Sequence, residues 1–127
     1  MTTSRNWTSL EALLIAISDV LVLERRPIGV NEVGYDNDRP LHVAAVWGDV
    51  QAIEMLVAAG AEVDAPGEFQ FTPLYQAVGQ GHVAAARRLL ELGASPHTHG
   101  KWGGTPNELA RTKNDAQMTA LFDKYAG

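Results

Sequence analysis

The sequence contains no cysteine. Disulfide bonds, zinc sites built from thiolates and cysteine nucleophiles are therefore excluded, whereas the compartment is left open. A chain of 127 residues can bury about two-thirds of its unfolded surface, so it needs neither disulfides nor a structural metal. We expect a single domain over residues 1–127.

Positive charge is also scarce. Lys and Arg together number 10 against 15 Asp and Glu, which gives a net charge of −5. No stripe of basic residues alternates with aromatic ones, and this disfavours nucleic acid as a partner. The acidic balance is compatible with a partner that carries a basic patch.

Long apolar runs are absent. The longest, residues 12–17, is far shorter than the roughly 20 residues of a membrane span. Ser18 and Asp19 interrupt it and no small-residue cleavage site follows, so we interpret it as structure and not as a signal peptide. We expect a cytoplasmic protein that does not contact membranes.

The motifs of common active sites are missing too. There is no GxSxG turn and no phosphate-binding GxxxxGK loop, and the glycine-rich residues 100–105 favour a hairpin turn. His97 and His99 have a metal-like spacing, but no third ligand lies near them in the sequence. We predict no catalytic residue, no metal and no cofactor.

What the sequence does contain is a repeat. The stretch from Pro40 to Ala61 reappears from Pro73 to Ala94, with every matched position 33 residues apart, and Pro106 follows at the same interval. A fixed period of this length is typical of stacked repeats, in which each unit contacts only its neighbours.

Local signals predict the helices of each unit. The prolines fit the first helical turn, Asp49 fits an N-cap, and Gly60 and Gly93 fit helix C-termini. In the third unit Asn114 replaces a glycine, and the final helix is predicted over residues 116–125. The buried faces are predicted to comprise Leu41, Ala44, Ala45, Val50, Ile53, Leu56, Val57, Val83, Ala86, Leu89, Leu90, Met118, Leu121, Phe122 and Tyr125.

The N-terminal region predicts a capping helix. Apolar residues recur at helical spacing from Ser9, a plausible N-cap, and Pro27 and Gly29 end the pattern, with Arg25 and Arg26 in the last turn. Residues 1–8 are expected to be frayed. The predicted apolar face of this helix comprises Leu10, Leu13, Leu14, Ile17, Val20 and Leu21.

The motifs PLHVAAVWGDV…MLVAAGAEVDA and TPLYQAVGQGHV…LLELGASP resemble the ankyrin repeat. The resemblance covers residues 35–127 and implies an all-α solenoid of helix–turn–helix units with hairpin-like fingers. It predicts an N-terminal cap at 9–34 and repeats at about 35–67, 68–100 and 101–127. It also implies binding of another protein by the fingertips and the concave face.

The sequence departs from the family's TPLH motif in each unit. Arg39 stands in place of the threonine, Tyr75 in place of the histidine, and the third unit reads TPNE. Two interpretations remain open. The departures weaken the stack, or Arg39 and Tyr75 were placed for contact with a partner.

An unusual share of the aromatic residues falls on finger and concave positions, where they suit an interface because they bury large area for little rotamer entropy. They also suit packing between fingers, above all for Phe71, and the acidic residues among them suit either a basic partner or solvated turns. The candidate partner-binding residues are Tyr35, Asp36, Asp38, Val46, Trp47, Glu68, Phe69, Phe71, Gln80, Lys101 and Trp102.

Three hypotheses about function follow. The first is a monomeric module that inhibits, sequesters or scaffolds a partner protein, similar to small stand-alone bacterial members of the family, some of which act as immunity partners of toxins. The second is a small-ligand binder or enzyme that uses a groove along His42, Tyr75 and Glu108. The third is a structural protein that associates with itself.

Overall fold

The structure, a computed structural model, describes residues 6–23, 26 and 28–126. Within these residues the chain forms α-helices and one turn of 3₁₀ helix, and no β-strand. None of these helices has the length and apolar character that a membrane span requires. The elements are α1 (Leu10–Val20), α2 (Pro40–Trp47), α3 (Val50–Ala58), the 3₁₀ turn (Glu68–Gln70), α4 (Pro73–Gly79), α5 (Val83–Glu91), α6 (Pro106–Thr112) and α7 (Ala116–Ala126).

The helices form two layers that run along a stack. An inner layer contains α2, α4 and α6, and an outer layer contains α3, α5 and α7; each helix contacts its neighbours in its own layer and its partner in the other. Helix α1 contacts both α2 and α3, so it covers the first unit as a cap. The predicted all-α solenoid of helix–turn–helix units is therefore confirmed.

The core is built from residues that repeat with the same period. Leu56, Leu89 and Phe122, each 33 residues apart, are fully buried on α3, α5 and α7. Alanines on the inner helices, such as Ala44 and Ala77, are also fully buried and let the helices approach closely. Four residues predicted inside, Val50, Val57, Val83 and Tyr125, are only half-buried because they lie at the margin of this face.

Helix boundaries follow the local signals. Pro40, Pro73 and Pro106 are the first residues of α2, α4 and α6. The turn between inner and outer helices needs a left-handed residue, and φ is 69° at Gly48, 75° at Gly81 and 54° at Asn114. Asparagine is among the few other residues that tolerate this conformation, so the drift at Asn114 preserves the turn.

The N-terminal segment is attached, contrary to the expected fraying of residues 1–8 for the part that the structure describes. The Trp7 ring stacks on Trp47 with centroids 6.0 Å apart, and its indole N–H donates to Asp49 at 2.8 Å. The Gln51 side chain exchanges two hydrogen bonds with the Trp7 backbone, at 2.9 and 3.1 Å. An indole that buries area and satisfies its N–H outweighs the entropy of ordering these residues.

The end of the capping helix also differs from the prediction. Ser9 is the N-cap, as predicted, but α1 ends at Val20, so Arg26 lies beyond the helix and pairs with Glu32 at 2.7 Å. Val20 is 51% exposed because helical rotation places it at the edge of the buried stripe. The predictions for Arg25 and Pro27 lie outside the described residues.

Candidate functional site

Three short loops project ahead of the inner helices and correspond to the predicted fingers. We define finger 1 as residues 34–38, finger 2 as residues 67–71 and finger 3 as residues 100–104. The first residue of each finger donates its N–H to the carbonyl of the last, at 2.7, 2.8 and 2.8 Å respectively. Each finger is thus a turn closed by one backbone hydrogen bond. The described residues of the fingers form no β-strands, so the fingers are not β-hairpins.

Finger 2 is held to the first unit by a buried histidine. His42 is fully buried on α2, and its Nδ1 accepts the N–H of Arg39 at 3.0 Å. The proton is therefore on Nε2, which donates to the carbonyl of Phe71 at 2.9 Å. Burial lowers the pKa of His42, although the nearby carboxylate of Asp38 partly opposes the shift.

Arg39, one of the departures from the family motif, is used within the protein. Its Nη1 lies 2.8 Å from the carboxylate of Glu62. The backbone N–H of Glu62 in turn donates to Asn31, whose amide donates to the carbonyl of Gly60. The guanidinium therefore joins the first unit to the chain after α3, and this arrangement favours a structural role for Arg39.

Finger 3 is held to finger 2 by ring contacts and one backbone hydrogen bond, whereas finger 2 is held to the first unit by a histidine. Tyr75 occupies the position of His42 one unit later, and its ring stacks on Phe71 with centroids 4.0 Å apart and planes 9° from parallel. The Lys101 N–H donates to the carbonyl of Phe69 at 2.8 Å. Gly100 packs directly on the Phe71 ring, where a β-carbon would lie 2.5 Å from Cε1.

The stacked rings continue outward to the fingertips. Phe69 lies 6.1 Å from Phe71 and 4.9 Å from Trp102, centroid to centroid. At the outer end Phe69 is 46% exposed and Trp102 is 69% exposed. Phe69 and Gln70 both have positive φ, 54° and 62°, a strained arrangement that holds the Phe69 ring on the outside. We call the set Phe69, Phe71, Tyr75 and Trp102 the aromatic edge.

Three carboxylates meet where fingers 1 and 2 touch. Asp38 accepts the N–H of Glu68 at 2.8 Å, and Asp36 accepts the N–H of Asp38 at 3.2 Å. Partial desolvation, together with the charges of Asp36 and Asp38, raises the pKa of Glu68. We call Asp36, Asp38 and Glu68 the acidic corner; since Glu68 and Phe69 are adjacent, it borders the aromatic edge.

The other candidate contact residues are distributed more widely. Tyr35 is 90% exposed at the tip of finger 1, and Val46 is 37% exposed on α2. Trp47 packs against Trp7, so part of its ring is covered by the protein itself. Gln80 is exposed after α4, and the Lys101 ammonium lies 5.7 Å from the centroid of the Trp102 ring. Their part in partner contact stays a prediction.

The alternative hypothesis was a groove lined by His42, Tyr75 and Glu108. In the structure each of these side chains makes contacts that support the fold. All three are the third residue of an inner helix. His42 is buried with both ring nitrogens bonded, Tyr75 stacks on Phe71, and Glu108 accepts the N–H of Thr105 at 3.1 Å in a capping box. The part of the chain that the structure describes holds no group of three metal-ligating side chains.

Sequence reasoning missed two features of this region. Sequence reasoning placed Tyr75 in a groove with His42, whereas the Tyr75 ring stacks on Phe71 and extends the aromatic edge inward. The signal for this contact was the tyrosine that stands in place of the family's histidine. Sequence reasoning also missed Trp7, for which the signal was an aromatic residue shortly before the N-cap Ser9.

Comparison with known proteins places these features in context. The family model described as "Ankyrin repeats (many copies)" matches residues 41–90. Human "Ankyrin repeat and SOCS box protein 11" is 34% identical over 86 residues, which cover 68% of this chain and 26% of that protein. Human "B-cell lymphoma 3 protein" is 34% identical over 96 residues, covering 72% of this chain and 21% of that protein.

A shorter relative is covered more completely. Mouse "Protein phosphatase 1 regulatory subunit 27" is 32% identical over 107 residues, which are 80% of this chain and 67% of that protein. The matches to the first relatives, by contrast, span about a quarter of their length or less.

Proposed function

Because the chain belongs to the ankyrin repeat family, whose repeats are protein–protein interaction modules, we propose that it acts by binding another protein. The observation that carries this proposal is the aromatic edge, whose outer rings, Phe69 and Trp102, stay exposed although they contact each other. Contiguous exposed rings of this kind are typical of interface anchors, since they bury large area with little loss of rotamer freedom.

The acidic corner supports a partner that carries positive charge. The carboxylates of Asp36, Asp38 and Glu68 lie beside the exposed rings, and their mutual repulsion contributes to the raised pKa of Glu68. A basic patch on the partner would relieve this repulsion and would be steered towards the rings by the net charge of −5. The full predicted surface adds Tyr35, Val46, Trp47, Gln80 and Lys101 around this centre.

We propose that binding inhibits or scaffolds the partner, in the manner of an immunity-type inhibitor, and that the free protein is a cytoplasmic monomer. The name of one relative, a phosphatase regulatory subunit, supports a role exercised on another protein. The described residues also use His42, Tyr75 and Glu108 for structure, which supports a non-catalytic module.

The proposal is tested by capture from a lysate of the source cell. The bait proteins are the wild type, the double variant Phe69→Ala/Trp102→Ala, and a control with the same kind of truncation elsewhere, Val20→Ala/Val33→Ala. Val20 and Val33 are also exposed, at 51% and 44%, but lie outside the aromatic edge. Circular dichroism first establishes that all three are folded.

We expect a protein that is retained by the wild type and the control and lost by the fingertip variant. Sensitivity of that complex to salt would support a basic partner. Equal retention by all three would contradict the assigned site, and retention of nothing but the bait itself would favour self-association, which sedimentation over a concentration series would then measure.

A further inference from the structure

A second surface lies away from the fingers, on the outer helices at the C-terminal end of the stack. A groove of about 320 Å³ between α5 and α7 is lined by Arg87, Gln117, Ala120, Leu121, Lys124 and Tyr125. None of these residues belongs to the aromatic edge or the acidic corner. Whatever binds here would therefore leave the fingertips accessible.

Two cations in this groove have no oxygen partner among the residues that the structure describes. Arg87 and Lys124 are both exposed, and within the described part of the chain neither donates to a carboxylate or a carbonyl. The Lys124 ammonium lies 5.4 Å from the centroid of the Tyr125 ring, which leaves its hydrogen-bond donors unused by protein oxygens.

Neighbouring basic side chains are, by contrast, engaged. Arg88 pairs with Glu54 at 2.7 Å and with Glu91 at 3.5 Å, and Arg111 pairs with Asp123. Glu91 lies one helical turn after Arg87, but it pairs with Arg88. Asp123 is adjacent to Lys124 in the sequence, but it pairs with Arg111. Carboxylates are in excess, with 15 acidic residues against 10 basic ones. It is therefore the placement of the carboxylates that leaves these two cations without one within the described ranges.

We propose that the groove binds a short acidic segment of another protein, in which a carboxylate side chain lies next to an apolar one. The guanidinium of Arg87 and the ammonium of Lys124 would bind the carboxylate through charge-assisted hydrogen bonds. Leu121 is buried beneath the groove and Tyr125 is half-buried, so the floor offers apolar surface. The exposed amide of Gln117 can bond to the backbone of the segment.

The test uses synthetic peptides as probes. The first is acetyl-(Leu-Glu)₃-amide, and the second is acetyl-(Leu-Gln)₃-amide, which has the same shape without charge. Each is titrated into the full chain by calorimetry and by NMR of backbone amides. The proteins are the wild type, Arg87→Gln/Lys124→Gln, and a control with the same change of charge on basic residues that have oxygen partners, Arg88→Gln/Lys113→Gln. Arg88 pairs with Glu54, and the Lys113 ammonium donates to the carbonyl of Gly79 at 2.9 Å. Circular dichroism verifies that each variant is folded.

We expect the glutamate peptide to bind the wild type and to shift the amide signals of Gln117, Ala120 and Lys124. The groove variant should weaken it about tenfold or more, as loss of charge-assisted bonds implies, and the control should change it less than about twofold. Equal weakening by the control would overturn the proposal, because general electrostatics would then explain binding. Equal binding of the glutamine peptide, full competition by millimolar inorganic phosphate, or no binding to the wild type would overturn it as well.

Discussion

The two joints between successive fingers differ in how they are held together. At the first joint, the buried His42 donates to the carbonyl of Phe71, and Asp38 accepts the N–H of Glu68. At the second, Gly100 of finger 3 packs on the Phe71 ring and Trp102 contacts Phe69, while Tyr75 stacks on Phe71 from within the same unit. The helices beneath the two joints repeat with the same 33-residue period.

This difference shows how one residue position sets the character of a surface. A histidine at the third position of the inner helix bonds to the next finger and remains buried. A tyrosine at the same position presents a ring face, and further rings stack on it until they reach solvent. The departure from the family motif at Tyr75 thus supports the rings that reach solvent, and a weaker stack and contact with a partner stay separate predictions for it.

The largest expected effect tests the apolar core of the outer helices, which repeats beneath both joints. Leu56→Ala and Leu89→Ala should each lower the free energy of unfolding by about 2–5 kcal/mol, because both side chains are fully buried at equivalent positions. Urea denaturation of both variants measures this. If one substitution lowered the free energy of unfolding several times more than the other, the two positions would not be equivalent in the apolar core.

The next effect tests how the joints differ. His42→Ala should cost about 2–3 kcal/mol, since it leaves the N–H of Arg39 without its acceptor and the carbonyl of Phe71 without a buried donor. Tyr75→Ala should cost about 1–2 kcal/mol, because it removes stacking and leaves no buried polar group without a partner. Urea denaturation in parallel compares them, and a larger cost for Tyr75→Ala would reverse the assignment.

A smaller effect is expected in the pH dependence of stability, to which the first joint contributes through His42. Because burial lowers the folded pKa of His42, the unfolded chain binds more protons between that value and its own pKa of about 6.5. The free energy of unfolding should therefore fall as pH drops below about 6.5, by up to about 1.4 kcal/mol per pH unit. Melting temperatures between pH 7 and pH 5 measure this dependence.

The matched variants for this measurement are His42→Asn and His97→Asn. The first should flatten the pH dependence, and the second, which replaces an exposed histidine outside the joints, is the control for the change of residue type. A flat profile in the wild type would mean that His42 does not contribute.

The smallest expected effect lies at the outer end of the second joint. Trp102→Ala should change the free energy of unfolding by less than about 0.5 kcal/mol, since the side chain is 69% exposed. Its effect on partner capture should be large by comparison. Thermal unfolding measures the first quantity, and a loss of several degrees would show that Trp102 supports the fold.

The sequence predicted features that depend on local chemistry or on the period. Ser9 and Asp49 are N-caps, Pro73 begins a helix, and Asn114 takes the left-handed turn position of a glycine. Each follows from backbone geometry that one residue and its neighbours determine. The stacked fold was predictable for the same reason, because the repeat imposes it.

The contacts between units were harder to predict. The Phe69–Trp102 contact and the Trp7–Trp47 stack join residues whose approach depends on the rotation between elements, which no local pattern encodes. The exposure of Val20 depends in the same way on where the first unit stops covering α1. The turns that carry the candidate residues were therefore predicted better than the contacts among their side chains.

The placement of the tryptophans has a practical consequence for spectroscopy. Trp7 and Trp47 stack with planes 15° from parallel, whereas Trp102 is largely in contact with water. Coupling between the stacked indoles reports on attachment of the N-terminal segment, and red-shifted emission reports on the environment of finger 3. A single unlabelled sample thus carries separate optical probes for the order of its first unit and for occupancy of its fingertips.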